Sequence, residues 1–107
     1  MSREWIKVAS AAHIEQEEMV QIKVDERHIL VYAREEGGFC ATDGLCTHEQ
    51  ASLIEGYLDG EVIECPKHNA RFHICSGKAL KRPAKQDLAT YPVKVEGGEV
   101  FVEVELA

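Results

Sequence analysis

Across most of this chain apolar and polar residues alternate with period two, in short runs closed by turn-forming residues, and that habit confines the fold to antiparallel β-structure. In Met19-Val20-Gln21-Ile22-Lys23-Val24 the branched residues share one face, and Asp25-Glu26-Arg27 turns the chain into the apolar run from His28 to Tyr32. Glu35-Glu36-Gly37-Gly38 supplies a second turn ahead of the short strand Phe39-Cys40-Ala41-Thr42. A third, Leu58-Asp59-Gly60-Glu61, feeds Glu61-Val62-Ile63-Glu64. Tyr91 to Val95 and Val100 to Val104 flank Gly97-Gly98 as a terminal hairpin, with Pro92 expected at an edge or a strand start, where no ladder donor is lost. Trp5 is expected to anchor a first strand on the core. Only Ala9 to Glu18 suits a helix, and then for a turn or two behind a cap at Ser10.

The length of 107 residues, 45% of them hydrophobic, suits one modest core. The expectation is a single domain, 1–107, all-β, an antiparallel sandwich or barrel without repeats or linkers. Opening on MSREWIKVAS, the sequence offers no apolar core of a secretory signal, and nowhere does it approach the roughly 18 apolar residues of a membrane span. A cytoplasmic protein with reduced thiols is expected, with no membrane partner. Nineteen acidic against twelve basic residues give a net charge of −7, which excludes a nucleic-acid-coating role. Nothing demands more than a monomer.

Four cysteines and five histidines are many metal-binding donors for so short a chain. Cys46-Thr47-His48 and Cys65-Pro66-Lys67-His68 form the pattern C-x-H-x16-C-x2-H. Each half offers one thiolate and one imidazole from a short loop. Two such loops side by side suit a tetrahedral zinc, or a [2Fe–2S] cluster of Rieske type in which cysteines hold one iron and histidines the other. Zinc sites usually place like ligands together in one half; here both halves are mixed, and the tight C-x-H suits a loop whose sulfur and imidazole point to different metal centres.

With Phe72, Ser76-Gly77-Lys78, Pro83-Ala84 and the stretch from Leu88 to Glu103, these motifs resemble the Rieske ferredoxins of bacterial aromatic-ring-hydroxylating dioxygenase systems, over nearly the whole chain. The resemblance implies an all-β base with a small cluster-binding subdomain. Its ligand loops would span about 44–50 and 64–72, and a proline-containing cover loop about 81–86, carrying Pro83 and Ala84. It implies one [2Fe–2S] cluster held by Cys46, His48, Cys65 and His68, with electrons arriving from a flavin-containing ferredoxin reductase and leaving to a terminal ring-hydroxylating oxygenase. The protein itself would perform no substrate chemistry. His48 and His68 would be the points of electron exchange, with both partners docking over this tip.

Compared with Rieske proteins of quinol-oxidising complexes, the extra loop cysteines are replaced by Ala51 and Lys67, so no loop disulfide is expected. Ala70 and Phe72 stand where those proteins carry serine and tyrosine hydroxyls, which places the reduction potential near the low end of the Rieske range, roughly −150 mV. Two ferric ions, two sulfides and two thiolates sum to zero, and neutral imidazoles leave it there. Such a site accepts an electron more readily than a four-cysteine dianion. Asn69, in place of the usual glycine, tolerates left-handed backbone.

Cys40 and Cys75 are expected to be unliganded bystanders, Cys40 as a small buried hydrophobe. His73 is expected to face solvent opposite Phe72 and Ile74, and His13 and His28 to be solvated. Lys78, Lys81, Arg82 and Lys85 form a basic run that is either a solvated face or a docking aid beside Pro83. Two other assignments fit the motif: the small Rieske-like subunit of a nitrite reductase, and a structural zinc-binding domain.

Overall fold

The computed structural model describes residues 2–47, 51–67, 69–81 and 86–106. In chain order come β1 (Ser2–Ser10), α1 (Ala11–Glu17), β2 (Met19–Val24), β3 (Arg27–Ala33), β4 (Phe39–Asp43), a 3-10 turn (Leu53–Glu55), β5 (Tyr57–Asp59) and β6 (Val62–Glu64). Then follow β7 (Arg71–His73), β8 (Ala79–Lys81), β9 (Thr90–Tyr91), β10 (Val93–Glu96) and β11 (Glu99–Leu106). These strands pair antiparallel in three sheets, ordered β1-β11-β10, β2-β3-β4-β9 and β5-β6-β7-β8. The fold is mostly β, as the alternation requires.

The apolar run that begins at His28 explains the layering. On β3, Ile29 and Val31 face one way and Leu30 and Tyr32 the other, and all four are fully buried. Ile29 and Val31 join Ile14, Ala41, Val100, Val102 and Val104 in the core of the base lobe, between the first two sheets. Leu30 and Tyr32 join Ile63, Phe72, Ile74 and Leu53 in a second core, between the middle sheet and β5 to β8. A strand apolar on both faces is what a middle layer needs.

Local chemistry sets the remaining elements. The Ser10 side chain accepts from the His13 amide at 3.1 Å and starts α1, which buries Ile14. Trp5 does not enter the core. Ile6 and Val8 take the inward positions of β1, which leaves Trp5 on the outer face, 38% exposed, with Lys94 Nζ 4.5 Å from its ring centroid. Pro92 precedes β10, and its carbonyl accepts from Glu103 at 3.0 Å.

The whole β5-to-β8 lobe leaves the base after β4 and returns at β9, and these two strands pair with each other at Ala41–Tyr91 and Thr42–Thr90. The Asp43 amide donates to Ala89 O (2.9 Å), and the Tyr91 hydroxyl donates to Asp43 Oδ1, which closes this gateway.

Tyr32 supplies a measurable polar contact within the middle sheet, between β3 and β4. Thr42 donates its hydroxyl proton to Asp43 O (2.8 Å), so Tyr32 is the donor in its own 2.8 Å bond to Thr42 Oγ1. Tyr32→Phe leaves no unsatisfied donor and is expected to cost about 1 kcal/mol. Burial holds the Tyr32 phenol well above its ordinary value, so its contribution is fully present below about pH 10, where an unfolded tyrosine stays neutral, and is lost as pH rises further. Denaturant titrations across this range should show the alkaline fall reduced in Tyr32→Phe. Part of it should persist, because desolvation and then the bonded Asp43 also raise Tyr91.

Candidate metal centre

Cys46 and Cys65 head two loops built on one plan. The Cys46 amide donates to Ala51 O at 2.8 Å and the Cys65 amide to Ala70 O at 2.7 Å, so each loop closes on the carbonyl five residues beyond its cysteine. The first loop is pinned at its base by the Leu45–Ser52 bridge and by Leu53 N donating to Gly44 O at 2.9 Å. The second joins β6 to β7, and Asn69 takes the left-handed conformation there, with φ 57°.

Both cysteines are 1% exposed and belong to the second core, beside Leu53, Ile63, Ala70 and Phe72. Outside the sulfurs the loops face each other across a cleft of about 520 Å³ lined by Ala51, Ser52, Glu55, Pro66 and Lys67. Two soft donors from separate loops therefore meet the same apolar layer, shielded from water. That donor chemistry fits a cluster that takes two cysteines on one iron. Neither Cys46 nor Cys65 is part of a disulfide.

His48 and His68 lie outside the described residues, as do Arg82, Pro83, Ala84 and Lys85. The ends of that last segment are well anchored. Thr47 Oγ1 donates to Gln86 O at 2.8 Å, which ties the loop after Cys46 to the chain just past 82–85. Asp87 Oδ1 accepts from the Ala79 amide at 2.8 Å, and Leu88, 3% exposed, donates its amide to Gly77 O at 2.8 Å.

Lys67 is exposed, as are Lys78 and Lys81 of the basic run. Arg71 is half-buried and faces two carboxylates. Cross-strand pairing on the small sheet puts it 3.4 Å from Glu64 and 3.4 Å from Asp59.

The expectation of two reduced bystander thiols is corrected: Cys40 and Cys75 form a disulfide with Cα atoms 5.1 Å apart. Cys40 lies at the start of β4 and Cys75 just after β7, and the pairing follows from packing β7 of one lobe against β4 of the other. No local pattern carries that information over a separation of 35 residues. His73 also does more than face solvent, since its Nδ1 accepts from the Cys75 and Ser76 amides at 3.1 and 3.3 Å. His13 is exposed, whereas His28 is half-buried, its Nδ1 enclosed beside the Gly44 turn.

Residues 4–92 match the family model of the Rieske [2Fe-2S] domain. Over 105 residues the chain is 43% identical to the ferredoxin component of the naphthalene 1,2-dioxygenase/salicylate 5-hydroxylase systems of Ralstonia sp, covering 98% of this chain and 100% of that protein. Among solved structures it is similar to the Sphingomonas yanoikuyae B1 ferredoxin, with a TM-score of 0.87 and 34% identity over 95% of this chain and 100% of that one. It is also similar to a chain in the complex of reduced oxygenase and oxidised ferredoxin in carbazole 1,9a-dioxygenase, with a TM-score of 0.85 and 38% identity over 92% of this chain and 91% of that one. No helix among the described residues is long and apolar enough to cross a membrane.

Proposed function

The chain belongs to the Rieske [2Fe-2S] family, and from that premise we propose that it carries single electrons from a flavin-containing ferredoxin reductase to the terminal oxygenase of a multicomponent aromatic-ring dioxygenase. It is an electron-transfer component and not the catalyst of ring oxidation, in keeping with relatives named as ferredoxin components. The observation that carries the reading is the pair of matched loops delivering Cys46 and Cys65 to one buried layer.

We assign Cys46 and Cys65 to one iron and His48 and His68 to the other, within a single domain spanning 1–107. The ligand loops are about 44–50 and 64–72, and the cover loop is about 81–86. The cluster supplies reversible one-electron exchange. The chain's own residues exclude water from the sulfurs through Leu53, Ile63 and Phe72, and hold the first loop against the cover segment through Thr47 and Gln86. Exposed Lys67 sits beside His68 in sequence and gives the tip a positive group in a chain of net charge −7. Both partners dock over this tip, one after the other. The protein works as a cytoplasmic monomer that binds neither membrane nor nucleic acid.

The cluster-loaded protein is expected to be reduced by a nicotinamide cofactor only through a flavoprotein reductase, and reoxidised by a ring-hydroxylating oxygenase. Lys67→Glu should slow both steps in stopped-flow mixing; rates unchanged in both would refute docking over the tip. Reduced samples should show the low average g of mixed His/Cys ligation in electron paramagnetic resonance. Colourless protein with stoichiometric zinc, or a subunit inseparable from a larger enzyme, would overturn the assignment.

Ala70 and Phe72 are fully buried and bring no hydroxyl to the layer that holds the sulfurs. A midpoint potential near −150 mV is expected. Ala70→Ser should raise it on the order of 100 mV, the one-electron equivalent of one hydrogen bond to a charged group. Protein-film voltammetry of the two forms decides this.

A further inference from the structure

Two contacts tie the lobes together at one corner. The Arg34 guanidinium bonds Glu61 through Nε at 3.1 Å and Nη2 at 3.2 Å, and the Cys40–Cys75 disulfide lies alongside, since the Ile74 amide donates to Glu61 O at 3.0 Å. Cys40 is near the start of β4, and the Cys46 loop follows the far end of that strand.

The disulfide borders an open groove of about 450 Å³ lined by Arg3, Phe39, Tyr91, Pro92 and both cysteines. That volume is in the range of small-molecule sites. In a chain of net charge −7, the one charged side chain lining it among the described residues is the cation Arg3, which also pairs with Glu103 at 3.3 Å. Cys40 and Cys75 are half-buried, whereas Cys46 and Cys65 are 1% exposed, so a thiol arriving from solvent meets the disulfide and not the cluster ligands.

We propose that Cys40–Cys75 is an exchangeable crosslink and modification site, opened by a small anionic thiol of the glutathione class that enters this groove. The incoming thiolate attacks one cysteine sulfur and forms a new S–S bond to it. The Cys40–Cys75 bond breaks, and the other cysteine leaves as a thiolate and takes a proton from water. A second thiolate attacks the added sulfur, the mixed S–S bond breaks, the first cysteine leaves as a thiolate and takes a proton from water, and the oxidised dimer departs, so two thiols are oxidised while the protein disulfide gains two electrons. Opening removes one of the two ties at the corner and leaves the Arg34–Glu61 pair. Excess oxidised thiol runs the same steps backward.

The test uses cluster-loaded protein incubated under native conditions with millimolar glutathione, quenched by alkylation and mapped by peptide mass. The expected result is alkylation of Cys40 and Cys75, a one-glutathione adduct on one of them, and no labelling of Cys46 or Cys65 before denaturation. Oxidised glutathione should restore the crosslink in reduced protein. Arg3→Glu is expected to slow opening by glutathione at least about threefold, and Arg3→Gln less, with little change toward neutral 2-mercaptoethanol. A disulfide that opens only on denaturation, or cysteines that never pair under oxidised glutathione, would overturn the exchangeable crosslink. Equal slowing with both thiols would overturn selection by the groove's charge.

Discussion

Cys65→Ser, and equally Cys46→Ser, is expected to yield a folded protein without colour, iron or acid-labile sulfide. Serine nearly matches cysteine in volume, and the loop-closing bonds to Ala70 O and Ala51 O come from backbone amides that the substitution leaves in place. What is lost is the soft, ionisable donor, which a neutral hydroxyl does not replace. Removing even a group that merely supports a metal ligand costs roughly 10- to 100-fold in affinity, so losing the ligand itself should cost at least about 100-fold. The base lobe has its own core of Ile14, Ile29, Val31, Val100, Val102 and Val104, so far-ultraviolet circular dichroism should stay that of a β-protein. Thermal stability should nevertheless fall, because metal binding contributes to folding free energy. Cys40→Ser provides the contrast and should retain its iron. Visible absorption with iron and sulfide assays reads all three variants, and full iron in Cys65→Ser would remove that residue from the ligand set.

Gly77→Ala is expected to be the most damaging methyl addition among these variants. Gly77 has φ +73°, and a Cβ there is driven into the carbonyl of Leu88 and to 2.9 Å from Thr90 Cγ2. The left-handed conformation costs an alanine roughly 1–2 kcal/mol, and overpacking against backbone about 1–3 kcal/mol more. A loss of about 3 kcal/mol is therefore expected from urea denaturation. Gly97→Ala isolates the first term, since φ is +57° and nothing lies within 4 Å, and should cost about 1 kcal/mol. The excess in Gly77→Ala carries a second signature. Leu88 follows the proposed cover loop in sequence and bonds Gly77 O, so displacing it should speed cluster bleaching in air, which Gly97→Ala should not do.

The sequence disclosed what short-range physics controls. The Asp25-Glu26 turn, the Ser10 cap, the strand start after Pro92 and the terminal hairpin depend on neighbours in the chain, and each lies where its residues require. The placement of Cys46 and Cys65 on matched loops was legible for a related reason: the C-x-H and C-x2-H spacings keep each pair within one short loop. Layering was less visible. The run from His28 to Tyr32 reads only as apolar, and its two faces acquire meaning once β5 to β8 cover one of them. β7 and β8 are three residues long and owe their existence to neighbours in the sheet. Trp5 misleads because ring size argues for burial while its position in β1 assigns it outward. The Cys40–Cys75 bond depends on how two lobes meet, a relation that no residue encodes by itself.

The β4–β9 pairing gives the second lobe the character of a cassette. The chain leaves the base and re-enters it at two adjacent strand ends, pinned by the Asp43–Ala89 and Tyr91–Asp43 bonds, while the Arg34–Glu61 pair, the Cys40–Cys75 disulfide and the packing on β3 hold the lobe in place. The base neither threads through the lobe nor depends on its length, since lengthening a loop already this long adds little closure entropy. Ligand loops of other lengths and chemistries could be exchanged across the same doorway with the register of β1, β10 and β11 unchanged.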